Sequence, residues 1–249
     1  MFLDAGPGGA RSRALDYDPA TALTRLRHCR RGERFVIGQL GQSLDGRIAT
    51  PEGASKYING ADALRHLHRI RAHVDAVIIG VGTAIADDPQ LTTRHVEGPS
   101  PVRVVIDPRG RLPAGLTLLA DGAAPVLVVT APGQPVPAGA EAVELAPDGD
   151  GIIDPAAIAA ALGARGLTRL LVEGGAETLA RFLDARMIDE LHLMVAPIVL
   201  GSGKTGLNME PIATLDQALR PRVRTMRFGD GDLLWVCDLR HPDRPAAGR

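Results

Sequence analysis

The sequence is poor in cysteine, lysine, aromatic residues and long apolar stretches. Its two cysteines, Cys29 and Cys237, are too few for a disulfide framework and too far apart for a metal-binding pair, which fits a reducing compartment. No apolar run reaches the roughly 18 residues of a membrane span, and residues 1–20 lack the order of a signal peptide. We therefore expect a cytoplasmic protein that has no membrane partner.

The chain also lacks a strong net charge. Its 28 lysine and arginine residues balance 29 aspartate and glutamate residues, for a net charge of −1. No strong field draws in a nucleic-acid backbone, so we expect small-molecule partners and no nucleic acid. With 249 residues, 45% hydrophobic and 23% charged, the chain has the size and composition of a globular protein with a full core.

From Phe35 onward, short apolar runs alternate with helical stretches, a pattern typical of an α/β fold. Runs that are apolar throughout indicate parallel strands buried on both faces. The predicted strands are Phe35–Leu40, Ala76–Ile79, Val102–Ile106, Val126–Val129, Leu170–Val172, Glu190–Ala196, Val223–Phe228 and Leu233–Cys237. No long helix separates the last three, so we expect these strands to be antiparallel.

Three helices are predicted, at Ala61–His73, Pro155–Leu162 and Ala176–Ala185, the first with Leu64, Leu67 and Arg71 on one face. The expected organisation is a partly mobile N-terminal extension over residues 1–34, a single domain over 35–240 and a tail over 241–249. A short helix within Pro19–Arg31 is expected in the extension, starting at an aspartate cap.

Two apolar strands each run into glycines and then into a helix, at Gly80–Thr83 and at Glu173–Ala176. Glycine lets the backbone approach a ligand closely, and the amides that begin a helix favour an anion. The usual dinucleotide fingerprint fails because Ile85 stands where a third glycine is required. The two strand ends are therefore candidates for clamping a diphosphate, while tight turns and a helix-capping Glu173 are the alternatives.

Two further segments carry polar groups. The loop Gly41–Ala49 follows a buried strand and suits a mobile loop over a nicotinamide, with Tyr57 as an apolar wall; a simple Asp-Gly turn is the alternative. The second segment is Ala86–Arg94. Its Arg94, together with Arg71, has the chemistry to hold a phosphate, and its Asp87 has the chemistry to polarise a hydroxyl. The alternative for this second segment is a turn with solvent-exposed charges.

Several common catalytic motifs are missing. The zinc deaminase and zinc protease motifs, the P-loop and the hydrolase elbow are absent, so we expect no bound metal. His66, His68 and His73 lie in one predicted helix without a carboxylate or cysteine at ligand spacing. They are interpreted as surface or packing residues.

Four motifs in order, Ser43–Ala49, Gly80–Arg94, Val172–Gly175 and Ala196–Gly201, resemble the reductase domain of riboflavin biosynthesis. This is the C-terminal domain of the bacterial bifunctional deaminase/reductase, and it is related in fold to dihydrofolate reductase. The resemblance covers about residues 34–239. It implies a dihydrofolate-reductase-like α/β fold with a mostly parallel central sheet flanked by helices and antiparallel C-terminal strands.

The resemblance further implies NADPH-dependent reduction of a phosphoribosylamino-pyrimidine to the ribitylamino product, with hydride arriving at C1′ of the sugar. The implied NADPH contacts are Gln42, Tyr57, Thr83, Asp87, Gly174, Gly175, Ala176, Glu177 and Thr178. The implied substrate contacts are Ser55, Arg71, Leu91, Arg94 and Glu173. Asp87 and Glu173 are the catalytic candidates, acting on proton movement at the reacting carbon.

The sequence departs from the bifunctional enzymes in two respects: it has no deaminase domain, and Gln39 replaces their common lysine. The substrate is thus left open between the deaminated pyrimidine, the diamino pyrimidine and a pterin. Two other functions also stay open, a dihydrofolate or pterin reductase on the same fold and a nucleotide-binding module without catalysis.

Two finer expectations concern the cofactor and the assembly. Arg103, Arg109 and Arg111 flank one strand and its exit loop, and are candidates for binding the 2′-phosphate that distinguishes NADPH from NADH. The resemblance implies a homodimer, and the apolar strand residues near the C-terminus give a physical reason, because they exceed what a thin edge requires. These residues are Leu191, Leu193, Met194, Val195, Leu233, Leu234, Trp235 and Val236.

Overall fold

A computed structural model describes residues 15–30, 32–55, 58–173 and 175–240 of the chain. Tyr57 and Gly174, both predicted to contact NADPH, lie outside the described residues, as does the predicted C-terminal tail. No helix in the described ranges is long and apolar enough to cross a membrane.

The described residues form strands and helices that alternate over most of the chain. The strands are Leu15–Asp16 (β1), Phe35–Ser43 (β2), Arg47–Ala49 (β3), Ala76–Gly80 (β4), Val102–Ile106 (β5), Val126–Thr130 (β6), Glu141–Glu144 (β7), Arg169–Glu173 (β8), Glu190–Ala196 (β9), Lys204–Thr205 (β10), Arg222–Arg227 (β11) and Leu233–Asp238 (β12). The α-helices are Pro19–Ala22 (α1), Thr24–His28 (α2), Ala61–Arg71 (α3), Val81–Asp87 (α4), Thr117–Ala120 (α5), Pro155–Ala164 (α6) and Ala176–Asp184 (α7), and a 3-10 helix spans Leu215–Gln217.

Ten of the strands form one sheet in the order β1-β11-β12-β9-β2-β8-β4-β5-β6-β7. From β9 to β7 every neighbouring pair is parallel. Strand β12 is antiparallel to both of its neighbours, β9 and β11, and β1 pairs in parallel with β11 at the edge. The predicted fold, a mostly parallel central sheet with antiparallel C-terminal strands, is confirmed.

The sheet has a core on each face because successive side chains of a strand point to opposite faces. Val36, Ile78 and Val104 belong to one buried cluster, which helices α6 and α7 cover. The alternate residues of the same strands belong to the other, which includes residues of α2 and α3. Central strands buried on both faces explain why their sequences are apolar throughout.

All eight predicted strands and all three predicted long helices are present, with ends that differ by up to three residues. Strands β1, β3, β7 and β10 were not predicted. They are two to four residues long, and β1 and β10 are exposed, so they carry no apolar run that a sequence pattern detects. The short helix in the N-terminal segment is present as α1 and α2, capped by Asp18.

The predicted face of α3 that carries Leu64, Leu67 and Arg71 is only partly buried. Leu64 is 42% exposed, whereas His66 and His68 are fully buried. Partners from distant parts of the chain satisfy both ring nitrogens of His66 and one ring nitrogen of His68, which reduces the usual cost of burying a polar group.

A chain of buried polar groups ties the N-terminal segment to α3 and β9. The Tyr17 hydroxyl lies 2.8 Å from His66 Nδ1, and His66 Nε2 lies 2.8 Å from His192 Nδ1. His192 Nε2 lies 2.8 Å from Glu190 Oε1. With both rings neutral, every group in this series can donate to the next, so the series is satisfied without a buried positive charge on either histidine.

The N-terminal segment also contributes apolar packing. Ala22, Leu23 and Leu26 are buried, and β1 pairs with β11. Residues 15–30 of the predicted extension are therefore part of the folded structure around the sheet.

We predict that the free energy of unfolding decreases as the pH falls from 7 to 5. Burial, and then the neighbouring His192, hold the pKa of His66 well below its ordinary 6.5. Below pH 6.5 the unfolded chain therefore binds a proton at His66 that the native chain does not, and this residue alone costs about 2 kcal/mol at pH 5. Urea unfolding at both pH values measures this loss.

The variant His66→Gln should lose less stability between pH 7 and pH 5 than the wild type, since it lacks this titrating group. The exposed His28 provides the control, because His28→Gln should keep the wild-type pH dependence. Equal losses in His66→Gln and the wild type would contradict the explanation.

Candidate active site

A cavity of about 1010 Å³ opens beside the carboxyl ends of β4 and β5, between α4, α7 and the short strands β3 and β10. Open α/β sheets bind ligands at this edge. The predicted site residues that line the cavity are Ser55, Thr83, Asp87, Gly175, Ala176, Glu177 and Thr178.

The two glycine-containing strand ends lie side by side, as predicted, because β4 and β8 are parallel neighbours. A Cβ placed on Gly175 would lie 2.9 Å from Thr83 Oγ1, and one on Gly80 would lie 2.5 Å from Thr178 Oγ1. Gly175 also has φ 73°, a conformation that favours glycine. The glycines thus allow both threonine hydroxyls to approach the junction between the strands.

Helix α7 begins at this junction with its amides open to the cavity. Gly175 is the residue that caps it, and no described side chain accepts a hydrogen bond from its first turn. Unsatisfied N–H groups and the positive end of the helix dipole favour an anionic ligand there.

Beside the cavity, Glu173 at the end of β8 forms a buried ion pair with Arg71 of α3. Arg71 donates from Nε to Glu173 Oε2 at 2.9 Å and from Nη2 to Oε1, a bidentate arrangement. The two side chains are only 6% and 12% exposed. Among the described residues, the Glu173 carboxylate accepts its hydrogen bonds from Arg71 and none from α7, which contradicts a capping role.

Arg94 lies next to this pair without a carboxylate of its own. Its guanidinium donates from Nη1 to Thr92 Oγ1 at 3.0 Å and forms no ion pair with a described residue. Burial, and then the neighbouring charge of Arg71, lower the pKa of Arg94. A cation held beside another cation is a favourable position for an anion.

The loop that carries Arg94 has an unusual backbone. Asp88 and Leu91 have φ values of 39° and 56°, which non-glycine residues seldom adopt. The Asp88 carboxylate accepts hydrogen bonds from the N–H and hydroxyl of Thr117, both at 2.7 Å. The Leu91 side chain is buried in the core, so its predicted contact with substrate is restricted to the main chain.

Arg103 supports the same loop, and the prediction that it faces a cofactor phosphate is wrong. Its side chain is 1% exposed and donates to Gln90 O at 3.4 Å and to Asp121 Oδ1 at 2.7 Å. Arg109 and Arg111, by contrast, line the cavity. The Arg109 guanidinium lies beside Gly151, on the same wall as Asp150.

The Asp45-Gly46 segment is a turn that joins two of the sequence motifs. Asp45 accepts hydrogen bonds from Ser43 Oγ at 2.6 Å and from the amides of Leu200 and Gly201. These bonds, led by that of Ser43, lower the pKa of Asp45 to about 2. Gln42, a predicted cofactor contact, lies outside the cavity lining, with its carboxamide beside Gly206.

Gln39 occupies the sheet position beside Glu173. The two residues are register partners in the parallel pair β2–β8, so their side chains share a face. Gln39 is 5% exposed, and its carboxamide forms no hydrogen bond with another described residue. A buried amide without a protein partner is free to bind a polar ligand group.

Sequence reasoning missed other polar residues of the cavity. Arg181 lies one helical turn after Glu177 in α7, so helical spacing is a signal that identifies it. Lys204 and Thr205 reach the cavity through β10, which pairs with β3 more than 150 residues earlier, and no local pattern points to them. Within the described ranges, no three histidine, cysteine, aspartate or glutamate residues are grouped to hold a metal ion.

Comparisons with known proteins identify the family of the chain. The chain is 34% identical over 193 residues to the 2,5-diamino-6-ribosylamino-4(3H)-pyrimidinone 5′-phosphate reductase of Methanothermobacter thermautotrophicus, covering 75% of this chain and 89% of that protein. The equally named protein of Archaeoglobus fulgidus is 32% identical over 179 residues, with coverages of 67% and 82%.

Among solved structures, the deaminase/5-amino-6-(5-phosphoribosylamino)uracil reductase of Thermotoga maritima superposes with a TM-score of 0.73 at 28% identity. The match covers 83% of this chain and 57% of that one, so the chain spans little more than half of the bifunctional protein. A model of the RibD C-terminal domain matches residues 34–229. The chain therefore belongs to the RibD C-terminal domain family.

Proposed function

We propose that the chain is an NADPH-dependent reductase of riboflavin biosynthesis that converts a phosphoribosylamino-pyrimidine into its ribitylamino product. The observation that carries the proposal is the two-part cleft. A large cavity with open helix amides adjoins a buried Arg71–Glu173 pair and Arg94, which has no ion pair with any residue that the structure describes. One part suits a dinucleotide and the other a phosphorylated sugar.

In the cofactor half, the amides at the start of α7 and the hydroxyls of Thr83 and Thr178 bind the diphosphate. Arg109 and Arg111 line the same cavity and bind the 2′-phosphate, which favours NADPH over NADH. NADPH supplies the hydride when bound. The residues of the chain fix its position relative to the sugar.

In the substrate half, Arg94 binds the phosphate and Glu173, held rigid by Arg71, orients the sugar hydroxyls near C1′. Addition of a hydride to C1′ also requires one proton to complete the reduction. Asp87 is exposed on the cavity wall, where it can relay that proton. Ser55 lines the same cavity and adds a hydroxyl on the side of β3.

Gln39 favours the diamino pyrimidine over the deaminated one. Deamination replaces an amino group, which donates hydrogen bonds, by a carbonyl, which accepts them. A lysine at this position can only donate, whereas the carboxamide oxygen of Gln39 can accept from an amino group. The names of the two archaeal relatives, both diamino-pyrimidinone phosphate reductases, support this choice.

We predict that the purified chain oxidises NADPH with the diamino phosphoribosylamino-pyrimidinone as substrate, more efficiently than with its deaminated counterpart or with NADH. Gln39→Lys should move the preference toward the deaminated substrate, because lysine donates to the new carbonyl. Absorbance at 340 nm measures both reactions. Turnover of dihydrofolate alone would support a pterin reductase, and NADPH binding without any turnover would support a module without catalysis.

A second prediction separates Arg94 from Glu173. If Arg94 holds the phosphate in ground state and transition state alike, Arg94→Ala raises KM by the equivalent of about 1.5–3 kcal/mol with little change in kcat. Glu173→Gln should instead lower kcat and leave NADPH affinity nearly unchanged.

Because Glu173 is also in a buried ion pair, urea unfolding must accompany these kinetics. Glu141→Gln is the matched control, since Glu141 pairs with Arg165 on the exposed β7 edge and should leave kcat unchanged. An unchanged kcat in Glu173→Gln, or loss of NADPH binding in that variant, would refute the assigned role.

We further propose a cytoplasmic homodimer. Met194, Leu234 and Val236 are buried within the chain, so only part of the predicted apolar surface is available. On the opposite face of the same strands Trp235 is 40% exposed, and Leu193 and Leu233 are half-buried. Val223, 42% exposed, extends this face on β11.

We predict that a second copy covers this face, because exposed apolar side chains on neighbouring strands are a common dimer surface. Light scattering at micromolar concentration should give twice the chain mass of 26.2 kDa. Trp235→Glu should lower the measured mass toward that of one chain. A wild type that scatters as a single chain would refute the homodimer.

A further inference from the structure

His68 is a buried histidine that the proposed chemistry does not use. It belongs to α3 and is fully buried, yet its Nδ1 accepts a hydrogen bond of 2.9 Å from the backbone N–H of Arg94. Its Nε2 is buried without a hydrogen-bond partner among the described residues. Its ring meets that of His95 edge-on, with centroids 4.5 Å apart.

We propose that His68 is a positioning residue that fixes the main chain at Arg94 and thereby aims the Arg94 guanidinium at the phosphate of the substrate. The inference rests on the proposed function, in which Arg94 binds that phosphate. In this inference His68 determines the position of the Arg94 guanidinium relative to the phosphate, although His68 itself does not touch the substrate.

The position of Arg94 requires a restraint because Arg94 lies beside Arg71. The two positive charges repel each other, and only Arg71 has a carboxylate partner among the described residues. Without a restraint the exposed Arg94 would move away into solvent. The bonds from its N–H to His68 and from its Nη1 to Thr92 hold it at both ends.

The backbone before Arg94 adds a second reason. Leu91 has φ 56° with its side chain buried, a strained conformation that persists only where neighbouring contacts enforce it. Arg103 holds Gln90 O on one side of Leu91, and Arg71 holds Thr92 O on the other. Thr93 then bonds to Ser100 Oγ and Pro99 O, and His68 is the contact that holds the backbone N–H of Arg94 itself.

The contact requires a neutral ring, because a protonated Nδ1 cannot accept. The charged groups that face His68 are Arg71 on its own helix and Arg94 and His95 on the loop, all of them basic. Burial, and then these charges, lower the pKa of His68 to about 3. The accepting form of the ring therefore persists throughout the neutral range.

The test compares His68→Leu with His68→Asn. Leucine removes the acceptor, whereas the asparagine oxygen reaches nearly the position of Nδ1 and should restore it. We expect His68→Leu to raise KM for the phosphorylated substrate about tenfold, which corresponds to one lost hydrogen bond, with kcat and the KM for NADPH changed less than about twofold. His68→Asn should stay within about threefold of the wild-type KM.

A double-mutant cycle makes the test specific to Arg94. In an Arg94→Ala background, His68→Leu should cause no further rise in KM, because there is no guanidinium left to position. If His68→Leu does not fold, His68→Phe keeps a packed ring without the acceptor and is measured instead.

An unchanged KM in the folded variant, an equal rise in KM for NADPH, or an equal rise in the Arg94→Ala background would overturn the inference. Failure of the proposed function is a different result. In that case the wild type itself turns over neither pyrimidine.

Discussion

The buried ion pair between Arg71 and Glu173 is the interaction on which the arrangement of the cleft depends. It links α3 to the carboxyl end of β8. The remaining Nη1 of Arg71 donates a hydrogen bond to the main-chain oxygen of Thr92, in the loop that carries Arg94. Breaking a buried pair by removing one partner costs about 3–5 kcal/mol, because a charge is left without compensation. The pair is therefore both a structural element and part of the site.

The influence of Arg71 extends to the residues around it. Its charge lowers the pKa of His68 and of Arg94. Arg71 therefore helps to keep His68 neutral, and its repulsion makes an anion beside Arg94 favourable. Glu173 forms its hydrogen bonds with Arg71 and acts on Arg94 only through its charge. A phosphate that binds Arg94 would complete the charge balance of this cluster, which is why an anionic substrate fits the site.

The sheet supplies the geometry in which the two halves of the cleft meet. Glu173 ends β8 on the proposed substrate side, and Gly175 caps α7 on the proposed cofactor side only two residues later. Gly80 ends the adjacent strand β4, and the absence of side chains at both glycines lets Thr83 and Thr178 approach. The order of strands thus places the proposed cofactor site next to the proposed substrate site.

The sequence predicted the central strands and the two strand ends well, because apolar runs and glycine turns are local signals. It predicted poorly where long-range contacts decide the outcome. Arg103 was expected at a cofactor phosphate but lies in the interior, paired with Asp121. His66 and His68 are packing residues, one of the two interpretations given above, but their contacts with His192 and Arg94, 126 and 26 residues away, have no local signal.

The candidate site shows the same difference between residues with a local sequence signal and residues brought together by long-range contacts. Thr83, Asp87 and Gly175 line the cavity as expected, since each follows directly from a strand or helix end. The Arg71–Glu173 pair was not foreseen, although both residues had been assigned to substrate, because its partners are 102 residues apart. The ion pair between Arg71 and Glu173 results from the packing of α3 on the sheet, and no local sequence pattern indicates that packing.

Transfer of hydrogen from cofactor to sugar tests the central claim most directly. NADPH carrying deuterium on the transferable position of C4 is incubated with the enzyme and the diamino phosphoribosylamino-pyrimidinone, and the product is analysed by mass spectrometry and NMR. The account predicts one deuterium at C1′ of the ribityl chain. A product without deuterium, or with deuterium on the pyrimidine ring, would contradict it.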